Sequence, residues 1–222
     1  MTRILFILLF VFAAAGYSDS GQIYSNPTEA KFYNLVTEYA KSVIGLKKIP
    51  KVGKKGFTSD CIGFVNYAYY KAGIDLQKVY ANGERGVDSL YNGLQKYKFV
   101  YDAKIAKPGD IIFFDNTYDV NKNKKWDDPL SHVGIVDSVG KHGTITYIHF
   151  SSSKGVAYAT MNLYYPKTHA FVQKGTKQKI VINSYLRKKK KGEKYPDKQY
   201  ISAFFYRSFA HIKIKDKSKP ED

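Results

Sequence analysis

Residues 57–76 read FTSDCIGFVNYAYYKAGIDL and hold Cys61, the single cysteine of the 222-residue chain. Ser59 or Asp60 is suited to cap a helix and Gly73 to end one. Between them Ile62, Val65, Ala68, Tyr69 and Ala72 fall roughly on one face. The spacing predicts a helix with Cys61 in its first turn. A helix N-terminus carries partial positive charge and unpaired N–H groups, so it favours a thiolate and offers donors to an oxyanion. A thiol at that point is a candidate nucleophile; the plainer reading is a small buried hydrophobe.

A nucleophilic thiol needs a base, usually histidine, held by a third polar group. Of five histidines, His132 starts the strand-like SHVGIV and His149 lies near the end of TYIHF. A hairpin closing at GKHG would set these strands side by side. One imidazole could then take the Cys61 proton while the other holds its ring. His142 reads as a turn residue, and His169 and His211 as surface or packing histidines.

Upstream, Phe32, Leu35, Val36, Tyr39, Ala40 and Val43 recur at helical spacing between Thr28, a fitting N-cap, and Ile44, with Gly45 to stop the helix. Another helix is expected over Val87 to Tyr97. Strands are expected at Asp110 to Phe114 after a Pro-Gly turn, then at HVGIVDSV, TITYIHF and GVAYATMN, with QKIVINSYL and QYISAFFYRSF adding more. Helices followed by strands on short turns imply an α+β fold, the nucleophile's helix packed on an antiparallel sheet. The length suits one domain over 28–214, after a flexible lead at 16–27. A Lys-rich loop at 187–198 and a polar tail at 215–222 complete the layout.

Residues 1–15 have the parts of a secretory signal peptide: Arg3, an apolar run from Ile4 to Phe12, then three alanines. The run is too short to span a bilayer, which takes ~20 apolar residues. No later segment reads as transmembrane. The protein is expected in the periplasm or outside the cell, as a monomer. Its formal charge of +17 suits anionic partners such as an acidic envelope polymer. Export, and the lack of a phosphate loop or zinc ligand set, count against nucleic acid.

A second pattern lies in residues 115–129. Asp119, Asn121 and Asn123 alternate, the Lys125 carbonyl follows, and Asp128 could close the set, as in a calcium loop. The pattern departs from an EF-hand: Lys124 stands where glycine is expected, and no glutamate sits at position 12. A polar surface turn is the plain alternative. Calcium there would be structural, and a Cys–His–His mechanism requires no cofactor.

Four stretches in order resemble the NlpC-type cell-wall cysteine peptidases and the related CHAP amidases. They are SDCIGFVNYAYYKAGI, KPGDIIFF, SHVGIV and YIHFSSSKGV, together spanning Phe57 to Val156. The resemblance implies a papain-like α+β fold. It implies Cys61 as nucleophile, His132 as general base and His149 as the orienting residue. It further implies cleavage of amide bonds in peptidoglycan stem peptides, with the Cys61 N–H and a neighbouring side chain holding the oxyanion. Asp60 would serve as a local cap beside the substrate. Arg85 and Ser89 are loose counterparts of the family's substrate-binding Arg-x-Ser. The alternatives are a papain-like amidase or acyltransferase working on another substrate such as lipid, and a non-catalytic wall-binding protein.

Overall fold

The computed structural model describes residues 24–188 and 200–215. The expected signal peptide, most of the Lys-rich loop and nearly all of the polar tail lie outside the described residues.

The first helix, α1, spans Pro27–Lys41. Its cap is Asn26, not Thr28: the Asn26 side chain accepts from the Glu29 N–H at 2.8 Å. Pro27 then occupies the first helical position, where its missing N–H costs nothing. The lead is anchored from Tyr24 onward, since Tyr24 is buried and its hydroxyl donates to the Pro108 carbonyl. α1 stops at Lys41, short of Gly45, whose N–H instead donates to the Val156 carbonyl at the sheet edge.

Helix α2 spans Cys61–Ala72, with Asp60 accepting from the Gly63 N–H and Gly73 as left-handed C-cap, as the sequence predicts. Gly63 has a further reason to lack a side chain. A Cβ there would lie 1.9 Å from the Thr58 carbonyl oxygen, so the loop before Cys61 folds tightly over the first turn. Helix α3 spans Gly86–Lys96.

Six strands form one antiparallel sheet: β1 (Val100–Tyr101), β2 (Ile111–Phe114), β3 (His132–Val139), β4 (Ile145–Ser151), β5 (Gly155–Met161) and β8 (Tyr206–Ala210), in the order β1-β8-β2-β3-β4-β5. QKIVINSYL does not join it. Its short β7 (Lys179–Val181) pairs instead with β6 (Ala170–Val172) in a separate hairpin. QYISAFFYRSF divides into a one-turn helix, α4 (Ser202–Phe205), and β8, which inserts between β1 and β2. The structure is the α+β, papain-like arrangement expected.

α1 and α2 pack on one sheet face through Val36, Phe64, Val65, Phe113, Ile135 and Ile148. The other face buries Ile112, Phe114, Val136, Tyr147, Phe205 and Phe209. One polar knot ties the layers. Asp110 is fully buried and accepts from the Lys107 N–H, the Tyr101 hydroxyl and His211 Nδ1. His211 stacks on Tyr33 with ring centroids 4.6 Å apart, so it is a packing residue. The Tyr33 hydroxyl donates to the Ile212 carbonyl at 2.8 Å and accepts its N–H at 2.7 Å. Tyr33→Phe would strand both backbone groups in the interior. It should destabilise the fold by about 1–3 kcal/mol, read as a lower urea midpoint at unchanged slope.

Candidate active site

Cys61 sits at the first position of α2, which packs on β3 and β4. β3 and β4 pair with Gly134 opposite His149, and β2 pairs with β3 so that Phe114 faces His132. Positions 132, 134 and 149 therefore share one sheet face. The pairing is two residues off a direct His132–His149 match, and this offset lets the rings meet. His132 Nε2 lies 2.8 Å from His149 Nδ1, with the rings nearly perpendicular at 88°. Gly134 makes the space between them. A Cβ there would lie 2.9 Å from the Ile148 carbonyl oxygen and 3.3 Å from His149 Cβ. The hydrogen bond occupies Nε2 of His132 and does not involve its Nδ1.

The electrostatics run against a resting ion pair. Crowding around the partly exposed Cys61 and the neighbouring Asp60 carboxylate push its thiol up to about 11; the N–H groups of Val133, Ile62 and Cys61 pull the other way without prevailing. Burial, joined by the charge of His149, holds His132 well below the usual histidine range. Burial and Lys154 push His149 down to about 4. At neutral pH all three groups are uncharged. The helix N-terminus, expected to favour a thiolate, is outweighed. Among the described residues no hydrogen bond joins Cys61 Sγ to an imidazole, as is common before substrate tightens such a pair.

The other singled-out residues scatter. Asp60 spends its carboxylate on the Gly63 N–H and the Thr58 hydroxyl, the local capping role. Arg85 precedes α3, whose Gly86 abuts Ile62 of α2. Its guanidinium grips Asp88 at 2.8–2.9 Å and donates to the Pro129 carbonyl at 2.7 Å. Ser89 turns its hydroxyl to the Gly83 carbonyl. His169 Nδ1 lies 2.7 Å from the Asn183 carbonyl oxygen, well apart in the fold. Sequence reading passed over Tyr118 and Tyr80. Tyr118 is half exposed, and its phenol is raised by burial and then by Cys61, with the Arg85 charge opposing. Tyr80 also lies within reach of the Cys61 charge and bonds Asn66. Nothing local in the sequence marks either, because both arrive from loops distant in the chain. One cavity of about 630 Å³ has Tyr101, Ile105, Pro108, Val139 and His211 in its lining, and another of about 530 Å³ has Tyr24, Pro27, Leu35 and Glu38; neither lining includes Cys61, His132 or His149. Among the described residues no helix is long and apolar enough to cross a membrane, and no three His, Cys, Asp or Glu side chains gather as a metal site.

Residues 51–175 match the model of the NlpC/P60 family, and the chain belongs to that family. Its members are typically hydrolases of the cysteine-peptidase type with cell-wall themes. A solved structure from Staphylococcus aureus subsp. aureus Mu50, described as similar to lipoprotein, NLP/P60 family, is 22% identical, with a TM-score of 0.35. The match covers 57% of this chain and 35% of that one, so the chain spans about a third of its length. No curated protein matches.

With the thiol near 11 and both imidazoles neutral, Cys61 should alkylate slowly at pH 7. The rate should rise about tenfold per pH unit through pH 9. Iodoacetamide labelling followed by mass spectrometry from pH 5 to 10 checks this; an acid plateau would mean a preformed thiolate–imidazolium pair.

Proposed function

We propose that this NlpC/P60 chain is an exported cysteine hydrolase that cleaves amide bonds in peptidoglycan stem peptides through Cys61, His132 and His149. The observation that carries the reading is the 2.8 Å bond from His132 Nε2 to His149 Nδ1 on strands packed against the helix that starts at Cys61. A bond of that kind fixes ring and tautomer, and leaves His132 Nδ1 to accept the thiol proton.

In this reading substrate enters first, because the resting thiol is neutral. Cys61 Sγ attacks the amide carbonyl as His132 takes its proton. The Cys61 N–H supports the oxyanion. The imidazolium of His132, stabilised by His149, then protonates the leaving amine. Water, activated by the same imidazole, hydrolyses the thioester and regenerates the thiol. Tyr118, half exposed and within electrostatic reach of Cys61, offers a phenol to a substrate amide. Stem peptides carry such groups. The N-terminal pattern at 1–15 supports export, and the charge of +17 supports attraction to anionic wall polymers.

Purified protein incubated with peptidoglycan sacculi should release peptides whose ends, read by mass spectrometry, identify the bond. Cys61→Ala should release none. His149→Ala should lower kcat by roughly two to four orders of magnitude, with partial recovery in His149→Asn, which can still hold the His132 ring. Equal release by wild type and Cys61→Ala would sink the proposal.

A further inference from the structure

The segment between β2 and β3 leaves and re-enters the sheet through a closed neck. The Asn116 N–H donates to the Asp128 carbonyl at 2.7 Å, and the Asp128 N–H donates to Asn116 Oδ1 at 2.8 Å. The Leu130 N–H reaches Asp115 Oδ1, and the Thr117 N–H reaches Ser131 Oγ. Beyond the neck, alternate side-chain oxygens fold inward onto the backbone. Asp119 Oδ2 accepts from the Lys124 N–H, Asn121 Oδ1 from Asn123, and Asn123 Oδ1 from Lys125. Asp128 Oδ1 accepts from the N–H groups of Val120 and Asn121, so its carboxylate faces this loop.

Two oxygens remain over. Asp128 is only 3% exposed, and its Oδ2 is shut from solvent with no hydrogen-bond partner among the described residues. Asp119 Oδ1 is in the same condition. Buried polar atoms are nearly always paired, and an ionised oxygen without a donor is costly. One loop holds two of them, on carboxylates nine positions apart in the chain.

We propose that residues 119–128 bind one calcium ion, with Asp119 Oδ1 and Asp128 Oδ2 as its charged ligands. The second lone pairs of the Asn121 and Asn123 amide oxygens, and the Lys125 carbonyl, complete an all-oxygen set. Oxygen donors of mixed charge suit a hard divalent cation, and the absence of thiolate or imidazole in the loop disfavours zinc. Only two carboxylates ligate, and Lys122, Lys124 and Lys125 are exposed on the same loop. Arg85, within the field of Asp128, already has its guanidinium on Asp88 and Pro129. The site is therefore weak, with Kd ~0.1–1 mM, the range of extracellular calcium modules. It stands independently of the hydrolase reading. Its structural effect falls on the neck, which ends at Ser131, next to His132.

Trp126, the only tryptophan in the chain, lies inside the loop and makes the site directly observable. Terbium added to the full chain should give saturable emission on selective excitation of Trp126. Calcium should displace it at about 0.1–1 mM, and magnesium only at concentrations about tenfold higher or more. Asp119→Asn and Asp128→Asn keep their hydrogen-bond acceptors, so each should retain its metal-free Tm while losing most of the emission. Independently of any variant, 10 mM calcium should raise the wild-type Tm by about 3–10 °C. The proposal is overturned by non-saturable emission, by emission that both variants preserve, or by a wild-type Tm that calcium does not move.

Discussion

The pairing of β3 with β4 is the constraint on which the site depends. Side chains alternate across a strand, so a slip of one residue would send one imidazole to the opposite face and dissolve the His132–His149 bond. Two features resist that slip. Gly134 is opposite His149, where any side chain would collide with the Ile148 carbonyl. Further along, the register shifts between Val136 and Ser138, so Asp137 is the extra residue of a bulge. The Asp137 carboxylate lies 2.7 Å from Lys41 Nζ at the end of α1. Bulges pin register because two residues on one strand must face one on the other. The side-chain pattern on both faces then follows: Ile135 and Ile148 go to the helices, Val136 and Tyr147 to the far layer.

A second anchor sets the other end of β2. Asp110 has no access to solvent, yet three donors meet its carboxylate, from the Pro-Gly turn, from β1 and from beyond β8. A buried carboxylate is tolerable only when its lone pairs are met. These partners come from four separate stretches once Glu29 of α1 is counted, 3.3 Å from His211 Nε2. The interaction ties the end of β8, far along the chain, to the neighbouring β1 and β2, between which it inserts. It also fixes β2, whose Phe114 packs against His132 at a ring distance of 6.1 Å.

How much of this could be read from the sequence depended on the range of the interaction. The α2 helix was legible from end to end because Asp60, the apolar face and Gly73 are local signals. The β3–β4 hairpin was legible because its turn is short and both strands are contiguous. The start of α1 was misplaced: Thr28 has a cap's chemistry, but Asn26 with Pro27 behind it competes better, and Ser25 adds two bonds to Glu29. The last third was poorly legible. β8 pairs with strands about a hundred residues earlier, and the separate β6–β7 hairpin is no more apolar than a sheet strand would be. Tyr118 comes within electrostatic reach of Cys61 from a loop tied to the start of α3 by the Arg85–Pro129 bond, which no spacing in the sequence records.

The charge state of Cys61 shows where local reasoning fails at the site itself. A helix N-terminus favours an anion by about 0.3–1 kcal/mol near the surface. That is less than one pKa unit. Burial and Asp60 act on the same sulfur in the opposite direction and lift it from 9.0 to about 11. Asp60 thus does two opposed things: it caps the helix that presents Cys61, and its charge resists the thiolate. Both imidazoles are kept neutral by the same burial, so neither can supply the positive charge that would offset it. In the proposed mechanism the proton then moves as the carbon–sulfur bond forms, and the developing positive charge on His132 is shared with His149. For a protein proposed to work outside the reducing cytoplasm this order has a chemical consequence. Thiolates, not thiols, react with oxidants. A nucleophile that ionises only against its substrate stays reduced between turnovers.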